Sequence, residues 1–227
     1  MLYLSCGREA YLPCSQASLV VGVGDGRDDR LEGIALAQCC AAASRQLADE
    51  AEDGVTVAQS ADELVLRPGG LVIGEYGDNN HLQLGTTLTA LLINGEDMII
   101  AQVGDSRVYR ITNEIEQLTE DQTVAQRDIK LGVLKPEDVN KDTRQNVLLQ
   151  CIGASTKVHP EYIEGKAQTG EVYMLCSDGF RHEISNDEFL GLLTSNLLNN
   201  EVIMKKALID LTELNKKRQE KDNITAM

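Results

Sequence analysis

The stretch from Thr86 to Ile111 limits the possible folds more than any other part of this chain. It holds three apolar, β-rich runs, "TTLTALLI", "MIIAQV" and "VYRI", separated by Asn94-Gly95 and by Gly104-Asp105-Ser106-Arg107. Asn-Gly between two such runs is a strong short-range hairpin signal, because a tight two-residue turn needs positive φ at its centre. Gly-Asp-Ser reads as a second turn of the same kind. The expectation is a meander of three antiparallel strands, which argues against a doubly wound parallel sheet.

Other segments extend the pattern. Leu19–Val23 reads as a buried strand running into Gly24-Asp25-Gly26, and Val172–Cys176 as another running into Ser177-Asp178-Gly179. "NVLLQCIG" reads as a further strand, and no strand is read before Leu19. The Ala-rich run from Leu31 to Ala51 is helical in character. Two short helices are expected between Asp121 and Val139, the second opened by Pro136 at a first-turn position. Ser185 and Glu188 form a capping box, and residues 200–218 form a long helix with Val202, Ile203, Leu208, Leu211 and Leu214 on or near one face. This is an α+β chain, read as a single domain over residues 1–227.

Composition narrows the function. A net charge of −15 disfavours a polyanionic partner such as nucleic acid. No apolar run approaches the roughly 18 residues of a membrane span, and no signal peptide is read. The six cysteines include no CxxC pair, which argues against zinc and for reduced, buried thiols in a cytoplasmic protein. With three histidines and no GxSxG, a Ser-His-Asp hydrolase has little support.

Four acids stand at strand ends beside small residues: Asp25, Asp105, Asp178 and Asp222. Singly, each is ordinary turn chemistry. Together, if the strand ends converge, they would repel unless divalent cations neutralised them, and an oxygen-rich donor set suits Mg²⁺ or Mn²⁺. "GVGDG", "LGTTLTALLI", "AQVGDSRVYRI", "QLTEDQT", "NVLLQCIG", "MLCSDGF" and "KDNIT" occur in the order of motifs in the metal-dependent, type 2C serine/threonine protein phosphatases. The chain resembles a bacterial-type member of that family from about Leu19 to Thr225.

The resemblance implies a central β-sandwich of two antiparallel sheets flanked by helices, in α-β-β-α layers. It implies hydrolysis of phosphoserine and phosphothreonine on protein substrates by a metal-activated water, using two Mn²⁺ or Mg²⁺ ions with room for a third. Asp25 would bridge the two ions, with the Gly26 carbonyl beside it. Asp178 and Asp222 would complete the acids, Asp105 would help hold the third ion, and Glu9 aligns with an acid near the family's N-terminus. Gly85, Thr86 and Thr87 match a structural Gly-Thr-Thr, and residues 122–146 correspond to a flap that contacts substrate. A signalling role opposing a Ser/Thr kinase, and a monomeric state, are expected by the same resemblance.

The sequence departs from that pattern in places. Leu4 falls where the family has a phosphate-binding Arg, and Asp28-Asp29 replaces a glycine pair after Asp25-Gly26. Arg27 could supply the guanidinium instead, since Arg offers a planar fork to phosphate. His182 stands where an acid for the third metal is common, and imidazole could ligate Mn²⁺ there. These departures keep an alternative open: a degenerate pseudophosphatase serving as a regulatory or binding module.

Overall fold

Asn94 and Gly95 turn the chain as expected: β4 (Leu88–Asn94) and β5 (Asp97–Val103) pair antiparallel in register Asn94↔Asp97, with Gly95 at φ 62°. The computed structural model describes residues 2–6, 8–12 and 18–22 as strands, and then residue 79 and residues 85–227 except 195 and 199. The Ala-rich helix expected over residues 31–51 lies outside the described residues, as do Asp25, Gly26 and Arg27.

The second turn behaves differently from expectation. β6 (Arg107–Ile111) does not fold back on β5, because both edges of β5 are taken, one by β4 and the other by β8 (Glu161–Lys166). Gly104 instead carries the chain round a corner into a second sheet, at φ 107°. A Cβ there would lie 2.3 Å from Thr87 Cγ2, so only glycine allows both the dihedral and the contact. β6 pairs with β7 (Ile115–Gln117) on one side and β9 (Val172–Cys176) on the other.

The first sheet has six strands in the order β2-β1-β3-β4-β5-β8, where β1 is Leu2–Cys6, β2 is Arg8–Leu12 and β3 is Ser18–Gly22. Two strands therefore precede Leu19, where none was expected. β1 runs parallel to β3, the one parallel pairing among these strands. β7 and β8 also escaped the sequence reading; β8, "EYIEGK", is an edge strand with exposed glutamates and little apolar signal. "NVLLQCIG" is no strand: Leu148 and Ile152 make isolated bridges to Thr123 and Thr86.

Side-chain alternation sorts the core into two layers. Leu91, Met98 and Ile100 of the first sheet meet Val108 and Leu175 of the second in the sandwich interior. The opposite faces of β6 and β9, with Tyr109, Ile111, Met174 and Cys176, are covered by helices carrying Phe180, Phe189, Leu193, Ala207 and Leu211. These helices are α2 (Asp178–Arg181), α3 (Asn186–Leu193) and α4 (Glu201–Lys217). α1 (Val124–Lys130) and a 3-10 turn opened by Pro136 (Pro136–Lys141) lie apart, in the expected flap. Ser185 and Glu188 form the capping box, and Asn200 caps α4 through Ile203 N–H. Burying each large side chain of this layer contributes about 1.5–3 kcal/mol.

Candidate metal centre

The site is assembled where strands from both sheets end. Strand register shows which ends coincide: Glu9 pairs with Ser5, Ser5 with Gly22, Gly22 with Thr89, and Thr89 with Gln102. This single row places the backbone of Glu9 and the last residue of β3 at the end of the sheet where β5 turns the corner toward Asp105. β3 ends there at Gly22, and Asp25, three residues on, lies outside the described residues.

The corner itself is clasped. Gln122 N–H donates to Gly104 O at 3.0 Å, and Gly104 N–H donates to Gln122 Oε1 at 2.9 Å. Fully buried Gln102 donates to the carbonyls of Gly104 and Glu120. Thr87 Oγ1 lies 3.0 Å from Ser106 Oγ, so the Gly-Thr-Thr segment packs under the corner.

Asp178 begins α2 at the end of β9. Residues 223–227 run back along that strand: Leu175 and Met227 exchange backbone hydrogen bonds of 2.9 Å, and Ser177 N–H donates to Thr225 O at 3.0 Å. The buried Ser177 hydroxyl donates to Asn223 O and accepts from Thr225 N–H. This holds Asp222 against α2 so closely that a Cβ on Gly179 would sit 3.0 Å from Asp222 Cβ and 2.6 Å from Asn223 O. Gly179 N–H fixes Asp178 Oδ1 at 2.8 Å.

Asp105 is partly buried, and burial first, then the charges of Asp178 and Asp121, push its carboxyl from the ordinary 3.8 up to about 6, with Arg181 opposing. Behind it, Arg107 grips Asp121 with two bonds of 2.7 Å and donates to Tyr109 Oη, and the Asp121 pairing holds its guanidinium above its usual range. Arg181 reaches Asp121 Oδ2 and Asp105 O, both at 3.4 Å. His182 Nε2 stands 3.9 Å from Asp178 Oδ2 and its Nδ1 3.6 Å from Glu220 Oε2.

Of the residues singled out from sequence, Asp178 has Asp105 as a charged neighbour, His182 Nε2 at 3.9 Å, and the segment bearing Asp222 packed against the adjoining Gly179. Glu9 shares their end of the sheet by backbone register alone. Asp25, Gly26 and Arg27 lie outside the described residues. Sequence reasoning gave no role to Arg107, Asp121, Arg181 and Glu220, whose charges look like ordinary surface charge in the sequence. Among the described residues no three of His, Cys, Asp and Glu are close enough to enclose an ion by themselves. The donors nonetheless fit a hard divalent cation. They are carboxylate oxygens with one imidazole, and Asp105, raised by burial and by its acidic neighbours, is costly to ionise without added positive charge.

The protein phosphatase 2C family model matches residues 29–128. The chain is 33% identical over 145 residues to the serine/threonine phosphatase stp of Listeria innocua, an alignment covering 63% of this chain and 56% of that protein. It is 32% identical over 121 residues to the protein phosphatase PhpP of Streptococcus pneumoniae, covering 53% and 49%. The chain thus spans about half the length of the curated relatives it matches. Among solved structures, the Mycobacterium tuberculosis serine/threonine phosphatase PstP/Ppp superposes with a TM-score of 0.74 at 27% identity, covering 95% of this chain and 88% of that one. The catalytic domain of PstP in complex with two manganese ions gives 0.70 at 26% identity, covering 95% and 87%.

Proposed function

We propose that this chain is a member of the metal-dependent, type 2C family of protein phosphatases, to which it is similar in sequence and fold, and that it hydrolyses phosphoserine and phosphothreonine on protein substrates. The observation that supports this reading is the position of Asp178, with Asp105 as a charged neighbour and the segment bearing Asp222 packed against the adjoining Gly179. Asp178, Asp222, Asp25 and the Gly26 carbonyl would hold two divalent cations, Mn²⁺ or Mg²⁺; Asp105 and His182 would serve a third, and Glu9 an outer position. When bound, such ions activate water and neutralise the charge on the transferring phosphoryl group.

The chain's own residues do the positioning. Gly179 N–H and the Ser177 clamp set Asp178 and Asp222 in fixed orientations, so little reorganisation accompanies binding. Arg107 and Arg181 neutralise Asp121, which lowers the repulsion that Asp105 would otherwise face. Arg27 is assigned to the substrate phosphate. The flap, residues 122–146, exposes Leu131 and Val133 at its tip, apolar groups suited to a polypeptide flanking the phosphorylated residue.

A role in signalling against a Ser/Thr kinase, in the cytoplasm and as a monomer, accords with this reading; among the described residues no helix is long and apolar enough to cross a membrane. A regulatory module without catalysis draws no support from the relatives, each of which is named as a phosphatase.

The test is hydrolysis of p-nitrophenyl phosphate and of a phosphothreonine peptide with Mn²⁺. Asp178→Asn should abolish both activities, and full activity in excess chelator would refute the proposal.

A further inference from the structure

His182 and Glu220 form a pair that the proposed chemistry does not yet use. Glu220 is a buried carboxylate, its side chain 9% exposed, at the point where α4 gives way to the segment carrying Asp222. The chain reaches it through Gln219 at φ 65°, and Glu220 N–H donates to Asn215 O at 3.2 Å. Its Oε1 is fully engaged, accepting from Lys221 N–H at 2.7 Å and Asp222 N–H at 2.8 Å. Oε2 is thereby turned on the His182 ring.

His182 sits at the C-terminal cap of α2, its N–H held by Asp178 O at 3.0 Å. Its two nitrogens face two different carboxylates: Nδ1 the Glu220 oxygen at 3.6 Å, Nε2 the Asp178 oxygen at 3.9 Å. Both separations exceed a hydrogen bond as they stand, and contacts of this kind tighten when a site is loaded. Neighbouring ligand atoms that each lie about 2.1 Å from one cation are about 3.0–3.4 Å apart, so His182 Nε2 and Asp178 Oδ2 need to close by about half an ångström to share an ion. A ring that presents N–H to a carboxylate has its tautomer fixed and its other nitrogen left as a lone-pair donor.

Resting on the phosphatase reading above, we infer that Glu220 is a positioning residue that orients His182 so that Nε2 joins Asp178 in holding a divalent cation, and that this nitrogen tilts the site toward Mn²⁺ and away from Mg²⁺. Imidazole suits first-row transition metals, whereas Mg²⁺ prefers oxygen and keeps its waters. Glu220 also fixes Asp222 through the backbone N–H it accepts, so one carboxylate sets the orientation of two groups at the site.

The experiment is binding of Mn²⁺ and Mg²⁺ to the whole chain, read by calorimetry and by the electron spin echo of protein-bound Mn²⁺, which senses directly coordinated nitrogen. The parent should show nitrogen coupling. His182→Asn, which keeps size and polarity, should lose it and lower the ratio of Mn²⁺ to Mg²⁺ affinity at least tenfold. Glu220→Gln retains an oxygen for the two backbone donors and should fold; its Mn²⁺ affinity should fall 10–100-fold, the usual range for removing a partner that orients a ligand. Bound Mn²⁺ without nitrogen coupling in the parent, or a parental affinity ratio in His182→Asn, overturns the inference while leaving the phosphatase reading intact if hydrolysis persists. A parent that binds no Mn²⁺ at all overturns both.

Discussion

Gly179→Ala tests how tightly the site is built. The added methyl would sit 2.6 Å from Asn223 O and 3.0 Å from Asp222 Cβ. Carbon atoms pack at about 3.5–4.0 Å, so the segment bearing Asp222 must retreat by about 0.5–1 Å. It cannot swing aside, because the obstructing oxygen belongs to backbone that Ser177 and Leu175 hold in place. Alanine is intrinsically favoured over glycine in a helix by about 1 kcal/mol, against an overpacking cost of about 1–3 kcal/mol. The net loss is therefore small, at most about 2 kcal/mol, or roughly 4–8 °C in Tm for a chain of this size. Function should suffer far more, since a misplacement of about 1 Å at a reacting centre can cost about 100-fold. Thermal melting, Mn²⁺ calorimetry and phosphopeptide hydrolysis measured on one preparation separate the two effects. The expected result is a modest fall in Tm with at least tenfold losses in Mn²⁺ affinity and in kcat. A variant that binds Mn²⁺ and turns over like the parent would refute the claim that Gly179 sets the spacing of the two acids.

Three further substitutions probe the same end of the molecule. Asp105 is raised from 3.8 to about 6, so the folded metal-free protein favours its protonated form; ionising it costs about 3 kcal/mol, a penalty absent below about pH 4, growing through the window up to 6 and complete above it. In chelator, Asp105→Asn should therefore be more stable than the parent at pH 7.5 by up to about 3 kcal/mol and lose that advantage by pH 4, as urea titrations would show; equal stability at both pH values would count against the burial and repulsion assigned to it. Ser177→Ala removes the hydroxyl that serves both Asn223 O and Thr225 N–H, and should cost about 1–3 kcal/mol together with weaker Mn²⁺ binding, read by melting and calorimetry. Gly104→Ala meets Thr87 Cγ2 at 2.3 Å and demands φ 107°, so it should destabilise the corner by about 3 kcal/mol or more in urea unfolding, beyond the cost of strained dihedrals alone.

Local signals in the sequence were reliable where the physics is local. Asn94-Gly95 turned β4 into β5, Ser185 and Glu188 capped α3, and the period of Leu208, Leu211 and Leu214 marked α4, because each depends on residues a few positions apart. Gly104-Asp105-Ser106 misled for the opposite reason. A turn motif does not reveal that the preceding strand already has neighbours on both edges, and β8, which takes one of them, enters sixty residues later. "NVLLQCIG" has strand composition, yet it meets only single-residue partners at Thr123 and Thr86. At the candidate site, Asp105 and Asp178, each beside a glycine, drew notice from their turn context. Arg181 and Glu220 were not, since a charged residue at a helix end looks alike whether it faces water or an acid.

The clasp between Gln122 and Gly104 is closed off from the other side as well: Val124 N–H donates to Val147 O, and Leu149 N–H to Gln122 O. Residues 124–147 therefore leave and rejoin the body through a pinched neck, a detour whose length and content change the free energy only slowly, by about 0.6 kcal/mol for each doubling. Insertions, deletions and new apolar tips can accumulate beyond that neck without disturbing Asp105. Contacts made by the tip can diversify there while the corner that carries Asp105 stays where it is.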